Sequence, residues 1–204
     1  MLLGSPPEFT GMSQRYEIRL SGTGGQGVVL AGIMLAEAAG TWRQGQHVVQ
    51  TVSYGPQVRG GLSSAEVVIS DEEIDYPRPI RLDLLIPFTQ EAANESAGHL
   101  KPEGIILYDP DLVRRAPQGW VATVPLTKLA LEIAGRSQTA NIVALGAAAA
   151  LAPVLNFEAL EAALRERATG KLQEQFIKAA GAGYQAADRI RDKIPFNKVG
   201  SAED

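Results

Sequence analysis

The sequence predicts a single α/β domain with a Rossmann-like, mostly parallel sheet flanked by helices and followed by a helical C-terminal part. Three observations favour this class. Short β-rich runs alternate with helical runs from residue 16 onward, as in folds built from βαβ units. A glycine-rich turn separates the first strand from the first helix at residues 22–27. The chain has 204 residues, which is the length of one domain.

The elements are predicted from hydrophobic periodicity and from the turn residues that bound them. Strands are expected at 16–20, 47–53, 63–70, 82–88, 104–108 and 120–124. Helices are expected at 28–39, 90–100, 126–134, 139–151, 156–168 and 171–193. Because glycine weakens helix interiors, the last helix is expected to break at Gly181 and Gly183.

The two ends of the chain are expected to lie outside the domain. Residues 1–11 have no hydrophobic period, contain two prolines and end before a second methionine, Met12. They are interpreted as an expression tag. The domain is predicted at 12–193, and residues 194–204 are predicted to form a polar C-terminal tail.

The composition excludes several kinds of site. The chain contains no cysteine and two histidines, His47 and His99. It can therefore form no disulfide, no Cys-ligated zinc or iron–sulfur site and no cysteine nucleophile, and we expect no metal site. A net charge of −4 argues against a nucleic-acid partner. No apolar run reaches the ~18 residues that span a bilayer, so we expect no membrane association and a cytoplasmic location.

The strongest local signal is Gly-Thr-Gly-Gly-Gln-Gly at residues 22–27. It satisfies G-x-G-x-x-G between a strand and a helix, where glycines allow a tight turn and the helix N-terminus attracts an anion. A dinucleotide site also needs an acidic residue about 20 residues further on. The second strand ends at Ser53, and the next acid is Glu66. A bound phosphate or other anion, a dinucleotide and a tight turn without a ligand all remain open.

A second glycine-rich segment spans residues 53–63, with the sequence Ser-Tyr-Gly-Pro-Gln-Val-Arg-Gly-Gly-Leu-Ser. It follows the second strand, and ligands of open α/β sheets lie beyond the carboxyl ends of the strands. Arg59 could reach an anion there or remain a solvated loop residue.

Other polar residues point to structural roles. Ser21 and Ser63 lack a positioned His–Asp pair, so a hydrolase triad is not supported. Asp109 in Asp-Pro-Asp is typical of a turn. Asn141, at the start of an Ala-rich helix, is expected to act as a helix cap.

Taken together and in this order, the motifs resemble one family. The runs GTGGQGVVLAG, LAEAAG, SYGPQVRGG, SSAEVVIS and IRLDLLIPF are similar to the gamma subunit, or the equivalent domain, of the 2-oxoacid:ferredoxin (acceptor) oxidoreductases. This group includes pyruvate, 2-oxoglutarate, branched-chain and indolepyruvate enzymes. The similarity covers residues 16–88 and continues loosely to Lys171.

The resemblance implies a share in an enzyme rather than a whole one. The family oxidatively decarboxylates a 2-oxoacid, transfers the acyl group to coenzyme A and passes electrons to ferredoxin. Thiamine diphosphate is expected in the alpha and beta subunits and iron–sulfur clusters in a ferredoxin-like delta subunit. The gamma-type domain is associated with coenzyme A access. The residues expected to meet coenzyme A are Gly22, Thr23, Gly24, Gly25, Gln26, Gly27, Tyr54 and Arg59.

Two other functions stay open from the sequence. One is a self-sufficient nucleotide-binding reductase or binding module, and the other is a purely structural subunit. The isolated chain could also form a homodimer. No residue is assigned as a chemical acid or base, and the sequence does not name the 2-oxoacid.

Overall fold

The computed structural model describes residues 15–55 and 61–194. The strands are β1 (Tyr16–Thr23), β2 (His47–Tyr54), β3 (Leu62–Ser70), β4 (Leu82–Pro87), β5 (Leu100–Tyr108) and β6 (Trp120–Thr123). The helices are α1 (Val28–Trp42), α2 (Gln90–Ser96), α3 (Leu126–Ala134), α4 (Ala140–Leu151), α5 (Phe157–Arg167) and α6 (Gly170–Arg191). Short 3₁₀ turns cover Ala97–His99 and Ser137–Thr139. Each predicted strand and helix is confirmed in type.

The sheet has the strand order β2-β3-β1-β4-β5-β6. The pairs β1–β4, β4–β5 and β5–β6 are parallel, whereas β3 runs antiparallel to both β1 and β2. The predicted mostly parallel sheet is confirmed, with one strand reversed. The segment between β2 and β3, residues 55–61, is too short for a parallel crossover, which needs about a dozen residues or more.

Helices cover the two faces of the sheet unequally. Side chains of alternate residues in β1, such as Ile18 and Leu20, lie in the main core beneath α1 and α4. Arg19 points to the opposite face, where its Nη1 lies 3.5 Å from Oγ of Ser96 in α2. The five helices α1 and α3 to α6 thus contribute to one large core, and α2 lies over the other face.

Contrary to the predicted break, α6 is continuous from Gly170 to Arg191. Its glycines allow close packing on α4. A Cβ at Gly183 would overlap the carbonyl oxygen of Val143, and a Cβ at Gly146 would overlap that of Ala180. The two backbones therefore approach more closely than any side chain would allow. Among the described residues, no helix combines the length and apolarity needed to cross a membrane.

A buried carboxylate organises the edge of the sheet where β1 and β4 begin. Glu17 is 3% exposed, and its Oε2 accepts hydrogen bonds from the backbone N of Ile80 and of Arg81, each at 2.6 Å. Its Oε1 accepts from Nε of Arg15 at 2.5 Å. Arg15 also donates to the carbonyl oxygens of Tyr76 and Arg78, each at 2.8 Å. These bonds fix the irregular connection between β3 and β4 at the edge opposite the glycine-rich turn.

The predicted ends of the domain are only partly covered by the structure. The interpreted tag at 1–11 lies outside the described residues, as does the predicted tail apart from Ile194. Both remain predictions.

Candidate functional site

The glycine-rich turn joins β1 to α1. The backbone N of Gln26 donates to the carbonyl oxygen of Thr23 at 3.3 Å, which closes a β-turn over residues 23–26. Gly25 has a φ of 89°, the conformation that a type II turn requires at its third residue. Gly27, the N-cap of α1, has a φ of 68°. Glycine is therefore required at both positions by backbone conformation.

The Gln26 side chain links this turn to the end of β4. Its Oε1 accepts hydrogen bonds from the backbone N of Thr23 at 2.8 Å and from Oγ1 of the same residue at 3.3 Å. Its Nε2 donates to the carbonyl oxygen of Phe88 at 3.1 Å. A Cβ at Gly22 would overlap Oε1 of Gln26, so this glycine makes room for the amide.

Asn141 links the turn to α4 from the other side. Its Nδ2 donates to the carbonyl oxygen of Gly27 at 3.2 Å, and its Oδ1 accepts from the backbone N of Ile142 at 2.7 Å. The predicted cap is wrong in position, because Asn141 lies inside α4 and the N-cap is Thr139. The side chain instead joins residues that are 114 positions apart in the sequence.

Gly24 and Gly25 form the open surface of the turn. A Cβ at either position would meet no atom within 4 Å, and the φ of Gly24 lies outside the left-handed region. Nothing in the described part of the chain therefore requires glycine at position 24. Both glycines border a cleft of about 410 Å³, a size typical of small-molecule sites. The other residues that line it are Gln26, Phe88, Leu112, Thr127, Ser137, Gln138, Ala140 and Asn141.

The cleft lies where ligands of open α/β sheets bind. In the strand order, the chain runs from β1 toward the β2 end of the sheet and from β4 toward the β6 end. The connections therefore diverge between β1 and β4, and the carboxyl ends of these strands form a topological switch point. Side chains that the sequence did not single out, on Phe88, Leu112 and Thr127, line the cleft from the segments that follow β4, β5 and β6. The strand-end rule could have identified them.

The lining of the cleft suits an anion better than a cation. None of its lining residues is charged. The first turns of α1 and α4 contain no acidic residue, so the positive ends of these two helix dipoles are not neutralised locally. The nearby carboxylate of Asp109 is fully buried, and it accepts hydrogen bonds from the backbone N of Asp111 at 3.0 Å and of Thr127 at 2.6 Å. The predicted turn at Asp109 is confirmed.

The described ends of the second glycine-rich segment lie at the same edge of the sheet. Tyr54 pairs with Ser63, and Ser63 pairs with Gly22. Tyr54 is therefore two strand spacings, about 10 Å, from the first motif. Its side chain is 72% exposed. Arg59 lies outside the described residues, and its predicted role stays a prediction.

The acidic residue that a dinucleotide site needs is not available. β2 ends in Tyr54, and Glu66 lies within β3 with 5% exposure. Its Oε1 accepts from Nη2 of Arg19 at 2.7 Å, and its Oε2 accepts from Oγ1 of Thr51 at 3.2 Å. Glu66 is thus engaged within the sheet. The described residues also contain no group of three or more His, Asp or Glu side chains that could hold a metal ion.

Comparison with known proteins identifies the family. Residues 17–186 match the family model described as pyruvate ferredoxin/flavodoxin oxidoreductase. The chain belongs to this family. The match covers both glycine-rich segments and continues into α6, so it includes all the elements that form the cleft.

Relatives within the pyruvate ferredoxin/flavodoxin oxidoreductase family include small subunits of similar length. The 2-oxoglutarate synthase subunit KorC of Methanocaldococcus jannaschii is 39% identical over 183 residues, which cover 88% of this chain and 97% of the relative. The crystal structure of a keto/oxoacid ferredoxin oxidoreductase gamma subunit from Geobacter sulfurreducens is 42% identical, with a TM-score of 0.77, and the match covers 85% of this chain and 97% of that chain. The predicted gamma-type fold is confirmed.

A larger protein contains the same fold. The 2-oxoglutarate:ferredoxin oxidoreductase from Magnetococcus marinus was solved with 2-oxoglutarate, coenzyme A and succinyl-CoA bound. Its match has a TM-score of 0.74 and 22% identity, and covers 86% of this chain and 31% of that chain. This likeness concerns the fold alone.

Proposed function

We propose that this chain is the gamma subunit of a multi-subunit 2-oxoacid:ferredoxin oxidoreductase, which oxidatively decarboxylates a 2-oxoacid to an acyl-CoA. The observation that carries the proposal is the match to a gamma subunit, which covers 85% of this chain and 97% of that chain. The chain has no cysteine and therefore no ligand set for a cluster. In this proposal, alpha and beta subunits hold thiamine diphosphate, and a ferredoxin-like delta subunit holds the iron–sulfur clusters and passes electrons to ferredoxin.

The part proposed for this subunit is coenzyme A access at the cleft beside Gly24 and Gly25. Three properties support it. The turn is open, and the residues that line the cleft are uncharged. The N-terminus of α1 has no side-chain cap, so it offers backbone N–H groups to a phosphate. Arg59 belongs to a segment whose flanking strands end at the same edge of the sheet, so we propose that it meets a phosphate or the pantetheine part of coenzyme A. We retain the cytoplasm as the proposed compartment, because no disulfide stabilises this chain.

The coenzyme A role is tested by a pair of glycine variants in the complex reconstituted with its partner subunits. Gly24→Ala places a methyl group in the open surface of the turn, where it contacts no protein atom. The apparent KM for coenzyme A should rise about tenfold or more, because the ligand approaches this backbone. The control is Gly98→Ala, which is equally free of contacts but lies in the 3₁₀ turn between α2 and β5. It should leave KM unchanged.

Arg59→Ala provides an independent test of the second motif. It should raise the apparent KM for coenzyme A and leave the KM for the 2-oxoacid unchanged, since the arginine is proposed to contact the cofactor only. An unchanged KM for coenzyme A in both Gly24→Ala and Arg59→Ala would contradict the coenzyme A role. The chain would then be a structural subunit.

A further inference from the structure

Two amide side chains hold the glycine-rich turn from opposite sides. We propose that Gln26 and Asn141 are positioning residues, which fix the Gly24–Gly25 backbone for the ligand of the cleft. The ligand part of this inference rests on the proposed function, whereas the rigidity of the turn does not.

Gln26 fixes the turn to the sheet. Its Oε1 accepts hydrogen bonds from the N–H and hydroxyl of Thr23, and its Nε2 donates to the carbonyl of Phe88. The backbone bond that closes the turn is long, at 3.3 Å between N of Gln26 and O of Thr23. The side-chain bonds at 2.8 and 3.1 Å therefore carry much of the restraint.

Asn141 fixes the helical end of the turn to α4. It is 7% exposed and lies on a helix whose backbone packs directly against α6. An asparagine is needed because one end of the amide must donate to Gly27 and the other must accept from Ile142. An aspartate of the same shape would place a second oxygen against the carbonyl of Gly27.

Between these two contacts, Gly24 and Gly25 have no side chain, and a Cβ at either position would meet no atom within 4 Å. Glycine backbone is the most costly to order, so an unrestrained turn would lose conformational entropy when a ligand binds. Restraining both ends in advance lowers that loss. Gln26 and Asn141 thus act on the ligand through the backbone.

The ligand-independent test compares Gln26→Glu and Asn141→Asp with Gln138→Glu. The first two variants keep the shape of the side chain but lose the amide N–H that donates to the carbonyl of Phe88 or of Gly27. Gln138 lines the same cleft, and its side chain forms no hydrogen bond within residues 15–55 and 61–194. This control therefore adds the same charge without breaking a contact. In the unliganded full chain, NMR order parameters for the N–H groups of Gly24 and Gly25 should be about 0.85 in wild type and Gln138→Glu. They should fall below about 0.6 in the other two variants.

The second measurement is calorimetry of the same proteins with coenzyme A and, separately, with inorganic pyrophosphate. Gln26→Glu and Asn141→Asp should bind each probe at least about tenfold more weakly than Gln138→Glu. Melting temperatures are measured in parallel, so that binding is compared only among folded proteins. If Asn141→Asp does not fold, Asn141→Ser removes the same donor without adding a charge.

The outcomes separate the two proposals. Unchanged order parameters in Gln26→Glu and Asn141→Asp would overturn the positioning role whatever the binding result. Equal losses of affinity in all three variants would overturn it as well, because charge alone would then explain the effect. Order parameters could fall in Gln26→Glu and Asn141→Asp while wild type binds neither probe. That result would support the positioning of the turn and overturn the coenzyme A role. Reduced order with selectively reduced affinity would support both.

Discussion

Glu17 shows how much a single buried side chain contributes to this fold. In Glu17→Ala, the backbone N–H groups of Ile80 and Arg81 and Nε of Arg15 lose their acceptor. Hydrogen bonds to a charged group contribute more than neutral ones, so the free energy of unfolding should fall by about 1.5–3 kcal/mol. Urea denaturation at neutral pH measures the change.

The matched control for this residue is Glu73→Ala, an exposed acid in the connection that Glu17 holds. It should change the free energy of unfolding by no more than about 0.5 kcal/mol. Equal effects of the two substitutions would show that the contacts of Glu17 are not what stabilises this edge of the sheet.

Tyr16 makes the stability of the protein sensitive to alkaline pH. Burial raises the pKa of Tyr16 well above its ordinary value of 10.0, and the negative charge of Asp83 raises it further. The folded protein therefore retains the proton that the unfolded chain releases. The stabilisation is complete below pH 10 and is lost as the pH rises above that value.

Between about pH 10 and pH 11.5, we expect the free energy of unfolding to fall less in Tyr16→Phe than in wild type. The difference should be up to about 1.4 kcal/mol for each pH unit. Urea denaturation across this range tests the difference. Tyr54→Phe, which alters an exposed side chain, should follow wild type. Parallel curves for wild type and Tyr16→Phe would refute the assignment.

At the scale of elements, the contact between α4 and α6 gives two glycines of one helix opposite roles. Gly183→Ala drives a methyl group into the backbone of α4 at Val143, so the free energy of unfolding should fall by at least about 2 kcal/mol. Gly181→Ala meets only Cζ of Phe157 at 3.9 Å and should raise it by about 0.5–1 kcal/mol. Thermal unfolding of both variants is the measurement. Changes of the same sign would exclude this account of the helix pair.

The sequence predicts the type of each element because hydrophobic periodicity and turn residues are local signals. It fails at Gly181 and Gly183, since helix propensity alone favours a break there. The packing of α6 on α4 outweighs this preference, and it involves residues about 40 positions apart that no local pattern relates. The reversed β3, in contrast, could have been predicted from the short connection after β2.

The candidate site is predicted in part for the same reason. The sequence indicates the turn at residues 22–27 because its glycines are close together along the chain. The cleft also requires Thr127, Ser137 and Asn141, which reach it only through the topology of the sheet. The sequence predicts a cap at Asn141 because its position near a helix start is a local feature, whereas its contact with Gly27 is not.

For the whole molecule, the proposed division of labour has a direct chemical test. When the reconstituted complex is separated into its chains, this chain should contain no iron and should lack the visible absorbance of iron–sulfur clusters. The reason is that it has no cysteine to ligate a cluster. Iron analysis and visible spectra of each separated chain provide the measurement. Iron that stays with this chain would contradict the assignment of the clusters to its partners.

The contact between Asn141 and Gly27 also orders events in time. A ribosome makes the chain from its N-terminus, so the turn emerges long before the residue that completes it, 114 positions later. During that interval, β1 and α1 can form, but the cleft cannot. A nascent chain therefore has no finished ligand site to present until α4 has been synthesised and has docked. Ligand capture during translation would report that α4 has docked.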